Sequence, residues 1–259
     1  KLTKHISNYR REKVPFSEIN IGLECGRSDP SSGLVANPLM GLITDRLIDL
    51  GGTAIIGETI EWLGAEHLLQ KRARSNEVKT KISNAVDFQR NFAKSKEIDL
   101  LGNNPGHQNI QAGLSTIEEK SIGNVAKSGS KKIENIIDWG CKPKKKGMFL
   151  MHAPAYAPES LSGFSSASCQ IILFSTGVGN SFNNHISPTI KYSANPDACS
   201  QLNEQLDFKC SDVFVGNKLI DKSLEEFWDL IVDICSGSLT WGEILNDSSE
   251  VFSRVDRSL

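Results

Sequence analysis

Cys25, Arg27, Ser28, Asp29, Ser31, Ser32 and Asn37 crowd into thirteen positions of the stretch GLECGRSDPSSGLVANPLMG, residues 22–41. A strand-to-helix turn needs only a glycine and a capping residue, so a thiol, an acid, a guanidinium and several hydroxyls in one turn point to a bound ligand. Cys25 is the thiol best placed for chemistry, because it ends an apolar run immediately before a glycine. A second cluster, ETIEWLGAEH at 58–67, contains Glu61 ahead of a helix and Glu66 and His67 in its first turns. Carboxylate and imidazole at that spacing would approach one metal ion or one substrate hydroxyl, although the pattern is not the HExxH of zinc enzymes. A third runs from NNPG at 103–106, with Asn104, to EEKSIGN at 118–124. There Ser115 or Thr116 starts a helix, followed by Glu118, Glu119 and Lys120. The same residues would build a capping box or leave amides and an ammonium for a substrate carboxylate. The fourth, FSTGVGNSF at 174–182, offers Ser175 and Thr176 in a glycine-rich turn. It lacks both the lysine of a phosphate loop and the GxGxxG of a dinucleotide site, so nucleotide binding has no complete motif.

These clusters sit where strands give way to helices. INIGLECG (19–26) is an apolar run that breaks into glycine, as a buried strand does, and 33–50 repeats apolar residues at helical spacing, with Pro38 placing its regular start near Asn37. TAIIGET (53–59) is a second strand ending on Glu58 and Thr59; EWLGAEHLLQKRA opens a helix and 75–100 continues as a polar helical stretch. Residues 102–113 read as a loop. GMFLMHAP, QIILFSTG and TIKYSAN read as further strands, VFVGNKLI (213–220) as an edge hairpin, and SLEEFWDLIVDICSG as an amphipathic last helix. Strands alternating with helices predict an α/β fold with a mostly parallel sheet flanked by helices in Rossmann-like layers. A strand, polar loop, Ser-Gly, small-residue helix and strand recur at INIGLECGRSDPSSGLVANPLMG and GMFLMHAPAYAPESLSGFSSASC, which suggests a duplicated βαβ unit whose loops would face one crevice. The organisation expected is a polar lead-in (1–18), a first α/β half (19–140) and a second (147–259), the halves being compatible with one continuous domain.

With 259 residues the chain can bury a full core unaided. Its net charge of -2 gives no nucleic-acid surface, and KPKKK at 142–146 reads as an exposed loop. No run is long and apolar enough for a membrane span, and the first thirty positions lack a signal-peptide layout, which predicts a cytoplasmic protein. The cysteines form no CxxC pair and read as free thiols. The chain opens on Lys1 with a strand close behind, as a fragment lacking an upstream domain would.

In this order the blocks ECGRSDPSSGLVANPLMG, GGTAIIGETIEWLGAEHLLQKRA, NNPG, AGLSTIEEKSIGNVAKSG and GMFLMHAPAYAPESLSGFSSASCQIILFSTGVGNSFNNHISPTIKYSAN resemble the altronate and galactarate dehydratase family, which also includes sulfolactate sulfo-lyase. The resemblance implies elimination of water from a sugar acid such as altronate or galactarate to give a 2-keto-3-deoxy acid, assisted by a divalent metal, iron(II) first and Mn2+ or Mg2+ as alternatives. It also implies a small amino-terminal β-rich domain absent from this chain, and it is compatible with a homo-oligomer. Such a reaction needs a base, a cation beside the developing enediolate and an acid for the leaving hydroxyl. Carried onto this chain, Glu61, Glu66, His67, Glu119 and Lys120 are the catalytic candidates, and Cys25, Glu61 and His67 the metal ligands. Arg27, Ser28, Asp29, Asn37, Asn104, Ser115, Thr116, Ser175 and Thr176 are the substrate-binding candidates. Where the family usually carries TTGRG, an AGG segment and a glycine, this chain has Ser175-Thr176-Gly177-Val178-Gly179, Ser166-Ala167-Ser168 and Arg27. Val178 removes a bidentate carboxylate partner that Arg27 would replace from the facing loop. Sulfolactate desulfonation and a non-catalytic sugar-acid binder remain the alternatives.

Overall fold

The computed structural model describes residues 2–10 and 12–247. Seven strands form one all-parallel sheet in the order β3-β4-β2-β1-β5-β6-β7. After a short helix α1 (Leu2–Ile6), β1 (Asn20–Gly26) leads through a π-helical turn (Ser32–Ala36) into α2 (Asn37–Asp49) and β2 (Thr53–Ile56). A 3-10 turn (Thr59–Trp62) and helices α3 (Glu66–Arg72), α4 (Asn76–Ser95), α5 (His107–Gln111) and α6 (Ile117–Ala126) precede β3 (Ile133–Asp138) and β4 (Gly147–His152). The chain then crosses the sheet through α7 (Ala157–Ser166) to β5 (Ile171–Thr176), β6 (Thr189–Ser193), α8 (Pro196–Gln201), β7 (Phe208–Lys209), α9 (Ser211–Phe214), α10 (Ile220–Ser236) and α11 (Trp241–Ile244).

The period of two along each strand divides the core into two layers. Ile21, Leu23, Ala54, Ile56, Met148, Leu150 and Leu173 join Leu39 and Ile43 of α2, Ile82 and Val86 of α4 and Phe227 and Ile231 of α10. Their neighbours Ile55, Phe149, Met151, Ile172 and Phe174 pack with Leu161 and Phe164 of α7 on the other face. Strands buried on both faces are what parallel sheets require, which is why β2, β4 and β5 read as near-continuous apolar runs, and why Glu24 within β1 stands out.

Glycines set how closely the first layer packs. A Cβ on Gly41 of α2 would lie 2.4 Å from the Ala126 carbonyl, and one on Gly123 of α6 would lie 3.1 Å from Gly33 Cα. The two helices therefore cross in backbone contact, and α6 is drawn over the carboxyl ends of β1 and β2. From β1 the connection runs to β2 on one side, and from β5 it runs to β6 on the other. The gap between β1 and β5 is thus a topological switch point, the place where open α/β sheets bind ligands.

Several sequence expectations change. VFVGNKLI is no hairpin: Val213 falls in α9 and packs on the core, Gly216 turns at φ +79°, and Ile220 starts α10. The sheet edge is taken by Phe208–Lys209 instead, parallel to β6. KKIENIIDWG, which shows no clean alternation, contains β3, an edge strand that tolerates Glu134 and Asn135 because β4 is its one neighbouring strand, apart from a single bridge between Ile133 and Ala73. The loop at 102–113 contains α5, and the helical stretch drawn to residue 100 ends at Ser95. The two similar βαβ segments also differ in topology, since β1 and β2 are neighbours whereas β2 and β1 both lie between β4 and β5. Strands from 19–140 and from 147 onward interleave in the one sheet; residues 248–259 of the second segment lie outside the described residues. No helix of the described residues is long and apolar enough to cross a membrane, and all six cysteines are free thiols.

Candidate active site

Cys25 is the penultimate residue of β1, paired in register with Ser175 of β5 beside the switch point. Its side chain points toward α6, while Glu24, one residue earlier, points to the α7 face and accepts a hydrogen bond from Ser160 Oγ at 2.6 Å. The neighbouring strand β2 ends at Ile56, and after Gly57 the chain turns sharply at Glu58, which has φ +64° and ψ +56°. This left-handed turn starts the 3-10 segment that also presents Glu61. The two carboxylates thereby reach the thiol from one side: Cys25 Sγ lies 3.7 Å from Glu58 Oε1 and 3.9 Å from Glu61 Oε2. Asn124 of α6 completes the surround, its Oδ1 3.5 Å from the thiol and its Nδ2 donating to the Glu61 carbonyl at 3.3 Å.

Each glutamate uses its other oxygen for a lysine. Lys127, just past α6 and fully buried, pairs with Glu58 Oε2; Lys120, inside α6, pairs with Glu61 Oε1 and with Asn104 Oδ1. Asn104 Nδ2 also donates to Glu61 Oε1 at 3.1 Å. The oxygens left over, Glu58 Oε1 and Glu61 Oε2, are the two that face Cys25. Cys25, Glu58 and Glu61 each offer one ligand atom within 4.8 Å of the others, and all three residues are buried.

The electrostatics follow from burial. Desolvation, then the charge of Glu58, raises the Cys25 thiol to about 12. Desolvation and Glu58 likewise push Glu24 well above the carboxylate range, and desolvation raises Glu58 against the pull of Lys127. Burial opposes the charge on Lys127 too, but Cys25, Glu58, Glu24 and Glu61 outweigh it and hold the ammonium protonated. With Cys25 as a thiol and two lysine-glutamate pairs around it, the charges on this side of the sheet balance. A cysteine sulfur and two carboxylate oxygens grouped in this way fit a divalent transition metal, with the cysteine bound as its thiolate.

The residues singled out from the sequence divide into three groups. Cys25, Glu61, Lys120 and Asn104 meet in this cluster. Ser28, Asp29, Asn37, Ser175 and Thr176 line the switch point between β1 and β5. There Asp29 organises the loop, accepting from Ser31 Oγ at 2.7 Å, the Ser32 amide at 3.0 Å and Asn195 Nδ2 at 2.7 Å. Asn37 ties three elements together, accepting from Ser175 Oγ at 2.6 Å and donating to the Gly123 carbonyl at 2.9 Å. Ser28 Oγ and Thr176 Oγ1 are buried with no hydrogen-bond partner, so each keeps unused hydrogen-bonding capacity beside the switch point.

The third group lies elsewhere. Glu119 Oε2 accepts from the Ser115 and Thr116 amides at 3.0 and 3.2 Å while its own amide donates to Thr116 Oγ1 at 3.1 Å, a capping box on an exposed helix start. Those bonds, the Ser115 amide first, lower the Glu119 carboxyl. Glu66 pairs with Arg90 of α4 at 3.6 Å, and His67 is exposed on α3. His67 is therefore not among the grouped donor atoms; Glu58 stands there instead. Arg27 is exposed, with φ +53°, and its carbonyl accepts the Gly177 amide at 3.2 Å. Sequence reasoning missed Glu58, Lys127 and Asn124. An acid directly after a strand-ending glycine, as in IIGET, is the one signal that would have found Glu58; a buried lysine closing a helix looks the same in sequence as a solvated one.

An all-parallel α/β sheet with thiol, carboxylates, amides and ammonium groups gathered at its carboxyl edge is the arrangement in which doubly wound proteins bind small ligands. Residues 16–257 match the family described as D-galactarate/altronate dehydratase, C-terminal, and the chain belongs to that family. It is 35% identical over 243 residues to the altronate dehydratase of Bacillus subtilis, covering 93% of this chain and 48% of that protein. Against the (2R)-sulfolactate sulfo-lyase subunit beta of Chromohalobacter salexigens it is 30% identical over 259 residues, covering 99% of this chain and 67% of that subunit. The galactarate dehydratase (L-threo-forming) of Escherichia coli is 29% identical over 255 residues, or 48% of its length. The chain thus spans about half the length of the dehydratases it matches.

Proposed function

We propose that this chain carries the catalytic region of a metal-dependent sugar-acid dehydratase, a hydro-lyase that turns an altronate- or galactarate-like acid into a 2-keto-3-deoxy acid. The observation that supports it most is the pairing pattern of the two glutamates: each commits one oxygen to a lysine and turns the other toward Cys25. Cys25, Glu58 and Glu61 would hold the ion, and a thiolate donor suits Fe2+ better than Mg2+. When bound, that ion supplies positive charge beside the negative charge developing on the substrate.

The chain's own groups do the rest. Binding the ion as a thiolate complex adds two positive charges and one negative to a neutral cluster, leaving one positive charge, which a substrate carboxylate balances. Lys120, 11% exposed, is the charged group of the cluster nearest solvent; with Asn104 it meets the incoming carboxylate. Ser28 and Thr176 accept and donate to the hydroxyls farther along the substrate, satisfying two groups that are otherwise buried and unpaired. Lys127 neutralises Glu58, so that this ligand is not repelled by Glu61.

A sulfolactate sulfo-lyase-like activity is the second reading, supported by the greater share of that subunit which this chain covers. An anaerobic assay with ferrous ion on altronate, galactarate and sulfolactate separates the two. A 2-keto-3-deoxy acid abolished by chelator supports dehydration, and sulfite with pyruvate supports desulfonation. If a stoichiometrically metal-loaded protein acts on none of the three, the dehydratase reading in this form is wrong; a protein that binds a sugar acid but no metal is a binding relative.

A further inference from the structure

Glu58 adopts a backbone conformation that side chains rarely adopt. A glutamate held there when glycine would be easier points to a function for its side chain, and something must hold the turn. The residue that follows is locked in place. The Thr59 amide donates to the Ala153 carbonyl at 2.9 Å, the Ala153 amide donates back to Thr59 Oγ1 at 3.0 Å, and the same hydroxyl is hydrogen-bonded to His152 Nδ1 at 3.0 Å. Thr59 is fully buried. His152 is the last residue of β4, the strand next to β2, and its ring stands edge-on to Phe88 of α4 with centroids 5.5 Å apart. The ring also lines a cavity of about 320 Å³ with Gln89, Asp138, Trp139 and Glu159. A threonine at the start of a helical turn ordinarily bonds its own local backbone; here it reaches across to the next strand.

We propose that Thr59 and His152 are positioning residues: their hydrogen bond pins the Glu58 turn to the end of β4 and so aims Glu58 Oε1 at Cys25. The consequence for ion binding rests on the metal reading above; the clamp itself does not. Thr59→Val keeps the shape and removes the hydroxyl, while Thr59→Ser retains it. His152→Leu removes the ring nitrogen, while His152→Asn keeps a hydrogen-bonding atom near the Nδ1 position. His152→Leu removes the ring partner that fixes the Thr59 hydroxyl, leaves Thr59 itself unchanged, and carries the test alone if Thr59→Val does not fold.

Two readouts decide the matter. In crystals of the metal-free variants, Thr59→Val and His152→Leu should show Glu58 out of the left-handed region and its carboxylate off Lys127, with Thr59→Ser and His152→Asn unchanged. In titrations with Co2+, whose thiolate absorption reports Cys25, the first pair should lose about 10- to 100-fold in affinity and the second pair little, as residues that orient ligands do. Glu58 unmoved in Thr59→Val or His152→Leu overturns the clamp. Glu58 displaced in those variants, with a wild-type protein that takes up no Co2+, upholds the clamp and removes the metal reading instead.

Discussion

At the scale of single residues, the buried charges are the strongest lever. Lys127 is 0% exposed and so is Glu58, and removing one partner of a buried pair strands the other, at a cost of about 3–5 kcal/mol. Lys127→Met should therefore lower the urea midpoint sharply, and adding Glu58→Gln should restore part of the loss; a double variant no better than the single would mean that the pair is not what holds this region. Cys25 leads to a second expectation. Its thiol sits at about 12, and a metal ligand must be the thiolate, so ion binding releases a proton and affinity should rise with pH across the neutral range. Calorimetry in buffers of different ionisation enthalpy measures that proton directly. At Arg27, glycine would relieve a left-handed conformation that costs a non-glycine residue about 1–2 kcal/mol. Arg27→Gly should raise the melting temperature and, if the guanidinium serves the substrate, raise KM as well. An unchanged KM would remove Arg27 from the substrate site.

At the scale of elements, the site depends on α6 lying close against α2. Gly41→Ala would drive a methyl into the Ala126 carbonyl at 2.4 Å. The expected outcome is a loss of about 1–3 kcal/mol from overpacking together with weaker ion binding, because Asn124 and Lys127 travel with α6. Thr116→Ala at the exposed start of the same helix is the control, costing about 1 kcal/mol through its cap and leaving kcat unchanged. The elements themselves were largely readable from the sequence. The apolar runs of β1, β2, β4 and β5 and the spacing of α2, α4 and α10 come from burial on one or two faces, a signal carried by residue type alone. β3 was not readable, because an edge strand has one partner and its polar residues break the pattern. The capping box at Thr116 was legible in STIEE, and its polar groups satisfy one another, which is why Ser115, Thr116 and Glu119 do not reach the cluster that Lys120 reaches one residue later.

At the scale of the whole molecule, burial of thiols sets the response to alkali. Desolvation raises Cys25, Cys169, Cys210 and Cys235 above the ordinary thiol value. A group raised in the folded state contributes stability in full below its unfolded value, here about 8.5, and loses it as pH climbs toward the folded one. Lys191, lowered by burial to about 8, acts in the opposite direction, since above that pH the unfolded chain binds the extra proton. Four thiols against one amine predict a urea midpoint that falls between about pH 8.5 and pH 10; a midpoint that holds steady would mean that the thiols are not shielded by burial. Which half of the chain supplies which part of the site was also hidden from the sequence, because register and strand order are long-range properties. That strand order has a further consequence for synthesis on the ribosome. The one strand beside β3 is β4, and β1 and β2 each await a neighbour, β5 and β4, encoded later in the message. Three strands therefore leave the exit tunnel before the sheet can close around them, and a pause or truncation between residues 138 and 147 would expose unpaired apolar edges to any neighbouring nascent chain.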